Sequence, residues 1–214
     1  MKRLFFVAMM FSILWFPAHA ETPANSATSQ RLIEIFKEAE IKRKPEYARQ
    51  FQEAKPLAEK GDDNAQYKLG QAYLWGHGTT RDVAAAERWL IKSAEQGNAK
   101  AQLSLGMLYN GNIAQKIIET DKERAESWLQ KSAKQGNAES YVYLAQIYQI
   151  KDKVEAFKWV CLAMRSFRAK DTRNHPREMM NIDFFMHLFE GLTPEQVAEA
   201  LKRVNAWQPD QKKR

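Results

Sequence analysis

The sequence contains few residues whose types and spacing could support catalysis or metal binding. Cys161 is the single cysteine, which excludes an intramolecular disulfide and any metal site built on several cysteines. No serine is followed by lysine three residues later, and the patterns G-x-S-x-G and H-E-x-x-H are absent. His187 and Glu190 have an i, i+3 spacing but lack further ligands nearby in the sequence. We therefore predict no catalytic residue, no metal site, no cofactor and no enzymatic activity.

Two single residues also have ordinary structural explanations. Cys161 lies in an apolar segment with helical spacing, so we expect a buried side chain rather than a reactive thiol. His77 lies between Gly76 and Gly78, which let the chain turn between helices. We expect its side chain to be exposed to solvent.

The first 20 residues have the composition of a secretory signal peptide. Lys2 and Arg3 precede an apolar run, 4–16, that is shorter than the ~20 residues of a membrane-spanning helix. Small residues then precede a cleavage point between Ala20 and Glu21. We therefore expect a periplasmic protein without a membrane span. Removing Lys2 and Arg3 from 33 basic side chains leaves 31 against 26 acidic ones, which lowers the net charge from +7 to +5.

The middle of the chain repeats with a period of 36 to 39 residues. One group of residues recurs after 36 positions, as Ala65/Ala101, Leu69/Leu105, Gly70/Gly106 and Tyr73/Tyr109. A second group recurs after 39 positions, as Ala86/Ala125, Trp89/Trp128, Ala94/Ala133 and Gly97/Gly136. A looser third copy contains Leu144, Tyr148, Ala156, Trp159 and Ala163. Periods of this size indicate a stacked array of helical hairpins.

The termini of the repeated helices are marked by short polar residues and by glycine. Four side chains are expected to cap helix N-termini, because a short polar side chain can accept the free N–H bonds of a first turn: Asp82, Asn98, Asp121 and Asn137. Gly97 and Gly136 lie where a helix ends in a left-handed conformation. The same pattern predicts two helices in each repeat.

Glycine and tryptophan positions inside the helices predict how the repeats pack. Gly70 and Gly106 lie in mid-helix, where glycine costs ~1 kcal/mol relative to alanine, so we expect a neighbouring helix to approach closely there. Trp89, Trp128 and Trp159 recur at one helical position. We expect them to fill the space between adjacent hairpins and to have structural roles.

The pattern A-x-x-x-L-G-x-x-Y followed by A-x-x-W-x-x-x-A-A-x-x-G-x-A resembles the Sel-like repeat, a relative of the tetratricopeptide repeat. The resemblance covers residues of about 45 to 170 and weakens in the third copy, where Ala145 replaces glycine and Met164 replaces alanine. It implies an all-α, right-handed solenoid of stacked hairpins with helical caps at both ends, used chiefly to hold other proteins. The segment 192–207 resembles the closing helix of bacterial members, with a Thr193–Gln196 capping box and a buried side of Val197, Leu201 and Val204.

The N-terminal pattern and the resemblance together predict an order of segments along the chain. We predict a signal peptide (1–20), a flexible leader (21–30), an N-terminal capping helix with half a repeat (31–64), Sel-like repeats (65–170), and C-terminal capping helices with a basic tail (171–214). We expect a monomer.

In solenoids the first helix of each repeat usually lines the concave face. The residues of these helices that are not part of the repeat pattern mix amides, aromatic rings and a thioether, which suits a protein surface as well as an ordinary solvated one. The predicted partner-binding residues are Lys68, Gln71, Trp75, Ser104, Met107, Asn110, Tyr143, Gln146 and Gln149.

Three further segments leave alternatives open. The long loop 110–121 carries Ile113, Ile117 and Ile118, which either pack under a neighbouring hairpin or form an apolar lip for a partner. The segment 179–189 is apolar almost all round and is expected either to be sandwiched at the end of the array or to bind a partner. A basic stretch includes Lys158, Arg165, Arg168, Lys170, Arg173 and Arg177. We expect it to be a solvated face, and we expect no nucleic-acid partner.

These observations favour an exported, non-enzymatic scaffold or adaptor for a protein partner. The family includes immunity proteins that bind secretion-system toxins, and regulators of envelope proteins; the sequence does not separate these roles. The alternatives are a hydrolase that acts on the cell wall or binds β-lactams, and a glycan-binding structural part of an export apparatus.

Overall fold

A computed structural model describes residues 27–113, 119–169 and 190–210. Within these ranges the chain is helical and contains no strand. The described helices are α1 (Ala27–Glu59), α2 (Asp63–Trp75), α3 (Val83–Glu95), α4 (Ala99–Tyr109), α5 (Lys122–Lys134), α6 (Ala138–Lys151), α7 (Lys153–Ala169) and α8 (Pro194–Ala206). None of these helices is long and apolar enough to cross a bilayer.

The helices form a right-handed solenoid of three hairpins, α2–α3, α4–α5 and α6–α7. The second helix of each hairpin also packs against the first helix of the next one, and α1 and α8 cover the two ends by packing on α2 and α7. This arrangement confirms the predicted fold class. The first helices α2, α4 and α6 line one face, which we call the concave face.

Polar side chains start the helices where the sequence predicted. Asp82 and Asp121 accept hydrogen bonds from the N–H groups of residues three positions later, and Asn98 and Asn137 cap α4 and α6. Asp62 caps α2 in the same way. These bonds satisfy backbone donors that a helix leaves free in its first turn, so they fix where each helix begins.

The two mid-helix glycines are points of close helix approach, as predicted. A Cβ built on Gly70 would lie 2.8 Å from Leu90 Cγ, and one built on Gly106 would lie 2.6 Å from Leu129 Cδ2. Leu90 and Leu129 are fully buried. Because side-chain atoms normally stay ~3.5–4 Å apart, only glycine lets these leucines reach the first helix of their own hairpin.

The prediction that three tryptophans fill the space between hairpins is correct in full only for Trp159. Trp159 is 2% exposed. Trp89 and Trp128 pack against the core but stay half-buried, with the amino groups of Lys92 and Lys131 lying 4.5 Å and 4.1 Å from their rings. The second helices bury leucine one position later instead, so the tryptophans stand at the rim of the core.

Polar bonds within each hairpin recur as regularly as the apolar core. Ser93 Oγ donates to the Asp63 carbonyl at 2.7 Å, and Ser132 Oγ donates to the Ala99 carbonyl at the same distance. Both serines are fully buried. Each bond joins the second helix of a hairpin to the start of its first helix and satisfies a buried hydroxyl, so the packing within the hairpin repeats along the array.

Tyrosine–glutamate pairs provide a second recurring link, from one hairpin to the next. The Tyr109 hydroxyl donates to Glu87 Oε1 at 2.5 Å, and Tyr148 donates to Glu126 one repeat later. Burial first, and then the bonded carboxylate, raises the pKa of Tyr109 to about 12 and raises that of Tyr148 as well. Both phenols therefore stay protonated and donate over the whole physiological range.

The N-terminal end differs from the predicted boundaries. Helix α1 begins at Ala27, inside the segment predicted as leader, and continues as one helix to Glu59. Its buried residues Phe51, Ala54 and Ala58 pack against α2, where they occupy the place of a preceding second helix. The segment 54–61 therefore acts as the half repeat that the sequence suggested.

The C-terminal helix closes the array with a capping box between Thr193 and Gln196, as predicted. Its buried side consists of Ala200 and Val204, whereas Leu201 is 45% exposed, so the prediction for Leu201 is wrong. Val197 is half-buried. Ala200 takes the place predicted for Leu201, because α8 turns this smaller residue toward α7.

Lys158 contradicts the predicted solvated basic face. Its side chain is 8% exposed, pairs with Glu155, and lies 4.0 Å and 5.1 Å from the rings of Trp159 and Trp207. Arg203 of α8 reaches the same glutamate at 3.1 Å. These contacts attach the closing helix to the last hairpin.

Several predictions fall wholly or partly outside the described residues. They concern the signal peptide, Ile117 and Ile118, the apolar segment 179–189, His187, and the basic positions Arg168, Lys170, Arg173 and Arg177. Ile113 is described and is 8% exposed in the core, which confirms that this part of the long loop packs.

Candidate partner-binding site

The concave face places the predicted partner-binding residues in three degrees of exposure. Lys68, Gln146 and Gln149 are exposed, and Trp75 is 50% exposed. Gln71, Met107, Asn110 and Tyr143 are half-buried, and Ser104 is buried at 6% exposure. Only some of the nine predicted residues are therefore accessible to a partner.

A chain of hydrogen bonds joins α2 to α4 across this face. Trp75 Nε1 donates to Gln71 Oε1 at 2.9 Å, and Gln71 Nε2 donates to Ser104 Oγ at 2.9 Å. Ser104 in turn donates to the Lys100 carbonyl at 3.0 Å. The indole of Trp75 is therefore held in place while half of its surface remains in water, as expected for a rigid aromatic contact residue.

Three of the predicted contact residues have structural roles instead. Ser104 is buried beneath the hydrogen-bonded chain. Met107 packs against the core, and the Asn110 side-chain amide donates to Asn112 at 2.7 Å in the turn that ends α4. The sequence pattern did not separate these residues from exposed ones, because α4 lies in the middle of the array and packs against helices on both sides.

Sequence reasoning missed Tyr67, which lies beside this chain. Tyr67 is half-buried on α2, and its phenol forms a hydrogen bond with Ser104. Burial raises the pKa of Tyr67, the negative charge of Glu139 raises it further, and the Ser104 bond opposes both. Burial and Glu139 also raise the pKa of Tyr143.

A groove of about 710 Å³ between α1 and α2 extends the concave face toward the N-terminal end. Lys68, Gln71 and Tyr67 form part of its lining. The opposite wall comes from α1, where Arg49 lies 2.8 Å from Glu46 and 3.1 Å from Glu53. The hydrogen bond and charge of Arg49 lower the pKa of Glu46. No sequence signal pointed to this groove, because α1 lies outside the strongly repeated region.

His77 is part of this groove, so the prediction of a solvent-exposed loop residue is wrong. Its ring is half-buried and stacks on Tyr47, with ring centroids 4.2 Å apart and planes inclined by 9°. A Cβ on the adjacent Gly78 would lie 2.8 Å from the Ala48 Cα, so the loop presses directly against α1. The glycine on either side of His77 lets the chain turn so that the imidazole packs against α1.

Two further groups of side chains bear on the chemistry of the described residues. Within the three described ranges, no group of three or more histidine, cysteine or acidic side chains could hold a metal ion. Cys161 is half-buried, and burial raises the pKa of its thiol, which makes the thiolate scarce at neutral pH.

The fold and this surface define a class of protein, the α-solenoids built from short helical hairpins. The Sel1 repeat family matches residues 63–98, 99–137 and 138–163, one match for each hairpin. The chain belongs to the Sel1 repeat family. Sel1 repeats are protein-interaction scaffolds and are generally non-catalytic.

Individual relatives are similar over limited stretches. A Sel1-like repeat-containing protein of Acanthamoeba polyphaga mimivirus is 46% identical over 44 residues, which are 21% of this chain and 8% of the viral protein. A Sel1 repeat protein from Oxalobacter formigenes is 25% identical with a TM-score of 0.47, over 73% of this chain and 97% of that one. A protective antigen of uropathogenic Escherichia coli with an SLR fold is 24% identical with a TM-score of 0.39, over 73% of this chain and 40% of that one.

Proposed function

We propose that this protein is an exported scaffold that binds one partner protein on its concave face and in the adjoining α1–α2 groove. The observation that carries the proposal is the exposure of Lys68, Trp75, Gln146 and Gln149 on the first helices, beside a groove that Lys68 also lines. The partner is either a resident envelope protein that the scaffold regulates or a secretion-system toxin that it neutralises.

The chemistry of this surface supports a protein partner. Exposed amides can donate to and accept from a peptide backbone, and a fixed half-exposed indole offers apolar area at a low entropic cost. Lys68 and the Glu46–Arg49–Glu53 group add charges of both signs around the groove. Such a mixture suits the polar rim and small apolar centre of a protein–protein interface.

Export is supported by the N-terminal sequence, in which a basic start, an apolar run and small residues precede Glu21. N-terminal sequencing of the protein isolated from the cell envelope tests this part. A first residue of Glu21 is the expected result. An intact Met1 in protein confined to the cytoplasm would contradict export.

The binding role is tested by affinity capture from the envelope fraction with matched variants. Gln146→Glu and Lys68→Glu change exposed residues of the concave face and should reduce recovery of the captured partner about tenfold or more while the fold is kept. Arg88→Glu is the control, because Arg88 is exposed on α3, a second helix, outside that face. Equal recovery with all three variants would contradict binding on the concave face.

The identity of the captured protein separates the two roles. A phospholipase-type toxin whose activity is blocked by stoichiometric scaffold identifies an immunity protein. A resident envelope protein bound with weaker affinity identifies a regulator. Retention on peptidoglycan without a protein partner would instead favour the glycan-binding alternative.

A further inference from the structure

Helix α1 takes the position of a second helix, but none of the described helices takes the position of its first helix. The end of α1 matches the end of α3 after 36 positions, since Ala58 and Gly61 correspond to Ala94 and Gly97. Both α3 and α5 pack against the first helix of their own hairpin and against the first helix of the next hairpin. Among the described helices, α1 packs extensively only against α2. One of the two contacts that a second helix makes in this array is therefore open on α1.

Leu57 marks the part of α1 where this contact is open. Its counterpart 36 positions later is Ser93, which is fully buried and donates to the Asp63 carbonyl of its own first helix at 2.7 Å. Leu57 is instead 51% exposed and lines the α1–α2 groove. The groove is therefore the space that a first helix fills in the complete hairpins.

The size of the side chain that fits this groove follows from one difference between α1 and α3. Leu90 of α3 lies so close to the first helix of its hairpin that a Cβ on Gly70 would be 2.8 Å from its Cγ. The counterpart of Leu90, 36 positions earlier, is the much smaller Ala54, which lines the groove. A helix in the groove therefore has room for a large apolar side chain where the repeats have glycine. Leu57, one turn after Ala54, adds apolar surface for that side chain.

The charges around the groove indicate which polar side chain complements it. On the α1 wall, Arg49 already pairs with Glu46 at 2.8 Å and with Glu53 at 3.1 Å. On the α2 wall, Lys68 is exposed and pairs with no acidic side chain of the described ranges. The charge that remains uncompensated between the walls is positive, so an acidic side chain on a docked helix complements it.

The contact between α2 and α4 indicates where on the docked helix this acidic residue lies. Gln71 of α2 donates to Ser104 of α4 at 2.9 Å, and Ser104 has the repeat position of Lys68, 36 residues later. A helix in the groove stands before α2 as α2 stands before α4. The residue opposite Lys68 therefore has the repeat position of Gln71, directly after the glycine position.

We infer that the α1–α2 groove binds an amphipathic α-helix of the partner protein, in the position that a first helix has in the complete hairpins. The helix presents a large apolar residue to Ala54 and Leu57 and, one position later, an acidic residue to Lys68. This inference rests on the proposed function of the concave face and groove, and it specifies the segment of the partner that docks there.

The test uses a peptide from this chain as the probe. Residues 98–110 contain the first helix α4, and Gly106→Leu with Met107→Glu gives the peptide the two residues that fit the groove. We expect this acetylated and amidated peptide to shift the methyl resonances of Ala54 and Leu57 in the isotope-labelled full chain. The peptide with Gly106→Ala and Met107→Glu should bind about tenfold more weakly, because it lacks the large apolar side chain while alanine favours a helix at least as strongly. No shift with the leucine peptide, or equal binding of the two peptides, would overturn the inference.

An exchange of charges tests the contact with Lys68. Lys68→Glu should weaken binding of the leucine peptide about fivefold and should strengthen binding of its counterpart with Gly106→Leu and Met107→Lys. Lys55→Glu is the matched control, because Lys55 is exposed on α1 but does not line the groove. Equal effects of Lys68→Glu and Lys55→Glu would refute the contact. Absence of peptide binding, combined with lost partner capture in Gln146→Glu, would refute the helix site and leave the proposed function intact.

Discussion

Replacing Gly106 by alanine is the sharpest test of how the hairpins are packed. By helix propensity alone, alanine should stabilise α4 by about 1 kcal/mol, because glycine is the less favourable residue inside a helix. The structure predicts the opposite sign. The new Cβ would lie 2.6 Å from Leu129 Cδ2, closer still to Leu129 Cγ, and 3.3 Å from the Ala125 carbonyl oxygen.

The magnitude follows from the balance of these two effects. Overpacking a core costs about 1–3 kcal/mol, and this site belongs in the upper part of that range because Leu129 is fully buried and has no free space to enter. Subtracting the propensity gain leaves a net loss of about 2 kcal/mol. Gly70→Ala, with Leu90 atoms at 2.8 Å and 2.9 Å, should lose about 1 kcal/mol.

The assay is urea-induced unfolding followed by far-ultraviolet circular dichroism and by tryptophan fluorescence. Coincident curves from the two probes justify a two-state free energy of unfolding, which arrays of repeats do not always obey. The wild type, Gly106→Ala and Gly70→Ala are compared at one protein concentration. The expected order of stability is wild type, then Gly70→Ala, then Gly106→Ala.

A double substitution isolates the contact. In a Leu129→Ala background the clash is gone, so Gly106→Ala should then stabilise the protein by about 1 kcal/mol. A stabilising Gly106→Ala in the wild type, or the same loss in both backgrounds, would refute the argument that Leu129 requires glycine at position 106.

Three further predictions concern the burial of the tryptophans, the protonation of Tyr109 and the N-cap of α5. Trp159→Ala should cost about 3–5 kcal/mol, whereas half-buried Trp128→Ala should cost about half as much, and equal losses in urea unfolding would contradict their different burial. Because folding raises the pKa of Tyr109 from 10.0 to about 12, the folded state holds this proton more tightly; the stabilisation is complete below pH 10 and is lost as the pH rises toward 12. Tyr109→Phe should remove this part of the alkaline loss in pH-dependent urea unfolding, and an unchanged pH profile would argue against the bond to Glu87. Asp121→Ala should cost about 1 kcal/mol by removing the α5 cap, with Asp121→Asn close to wild type in thermal unfolding.

The experiments on the concave face depend on the corrected exposure of its residues. Gln146 and Lys68 are suitable positions for charge substitution because both are exposed and contribute little to the core. Met107 is less suitable than its sequence position suggested, since it packs against buried residues and a glutamate there would also disturb the core. Partner capture by a Met107 variant would therefore mix two effects.

Much of the fold could be predicted because the residues that start and end each helix act through short-range hydrogen bonds. The caps at Asp82 and Asn98 and the left-handed glycine at Gly97 depend only on bonds within a few residues, so they can be read from the sequence. Gly70 and Gly106 could be predicted as contact points because glycine in mid-helix lowers helix stability, which a close helix contact can offset. The recurrence of glycine in two repeats indicated that the contact recurs as well.

Burial of the repeated tryptophans could be predicted only in part. Trp89, Trp128 and Trp159 share one position in the repeat, yet only Trp159 is fully buried. Its surroundings include Tyr141 and Trp207, which lie at centroid distances of 5.8 Å and 4.9 Å and come from different helices. Burial depends on the neighbours, and those neighbours are distant in sequence.

The sequence by itself determined the helical repeats, their termini, the glycine contacts and the stacked class of fold, because these rest on periodicity and on short-range hydrogen bonds. Only the tertiary structure decided which residues of the concave face reach solvent, that His77 stacks on Tyr47 beside a groove, and that Trp75, Gln71 and Ser104 form one hydrogen-bonded chain. Helices from separate repeats create those contacts. The spacing of residues within one helix does not determine the distance between residues on different helices.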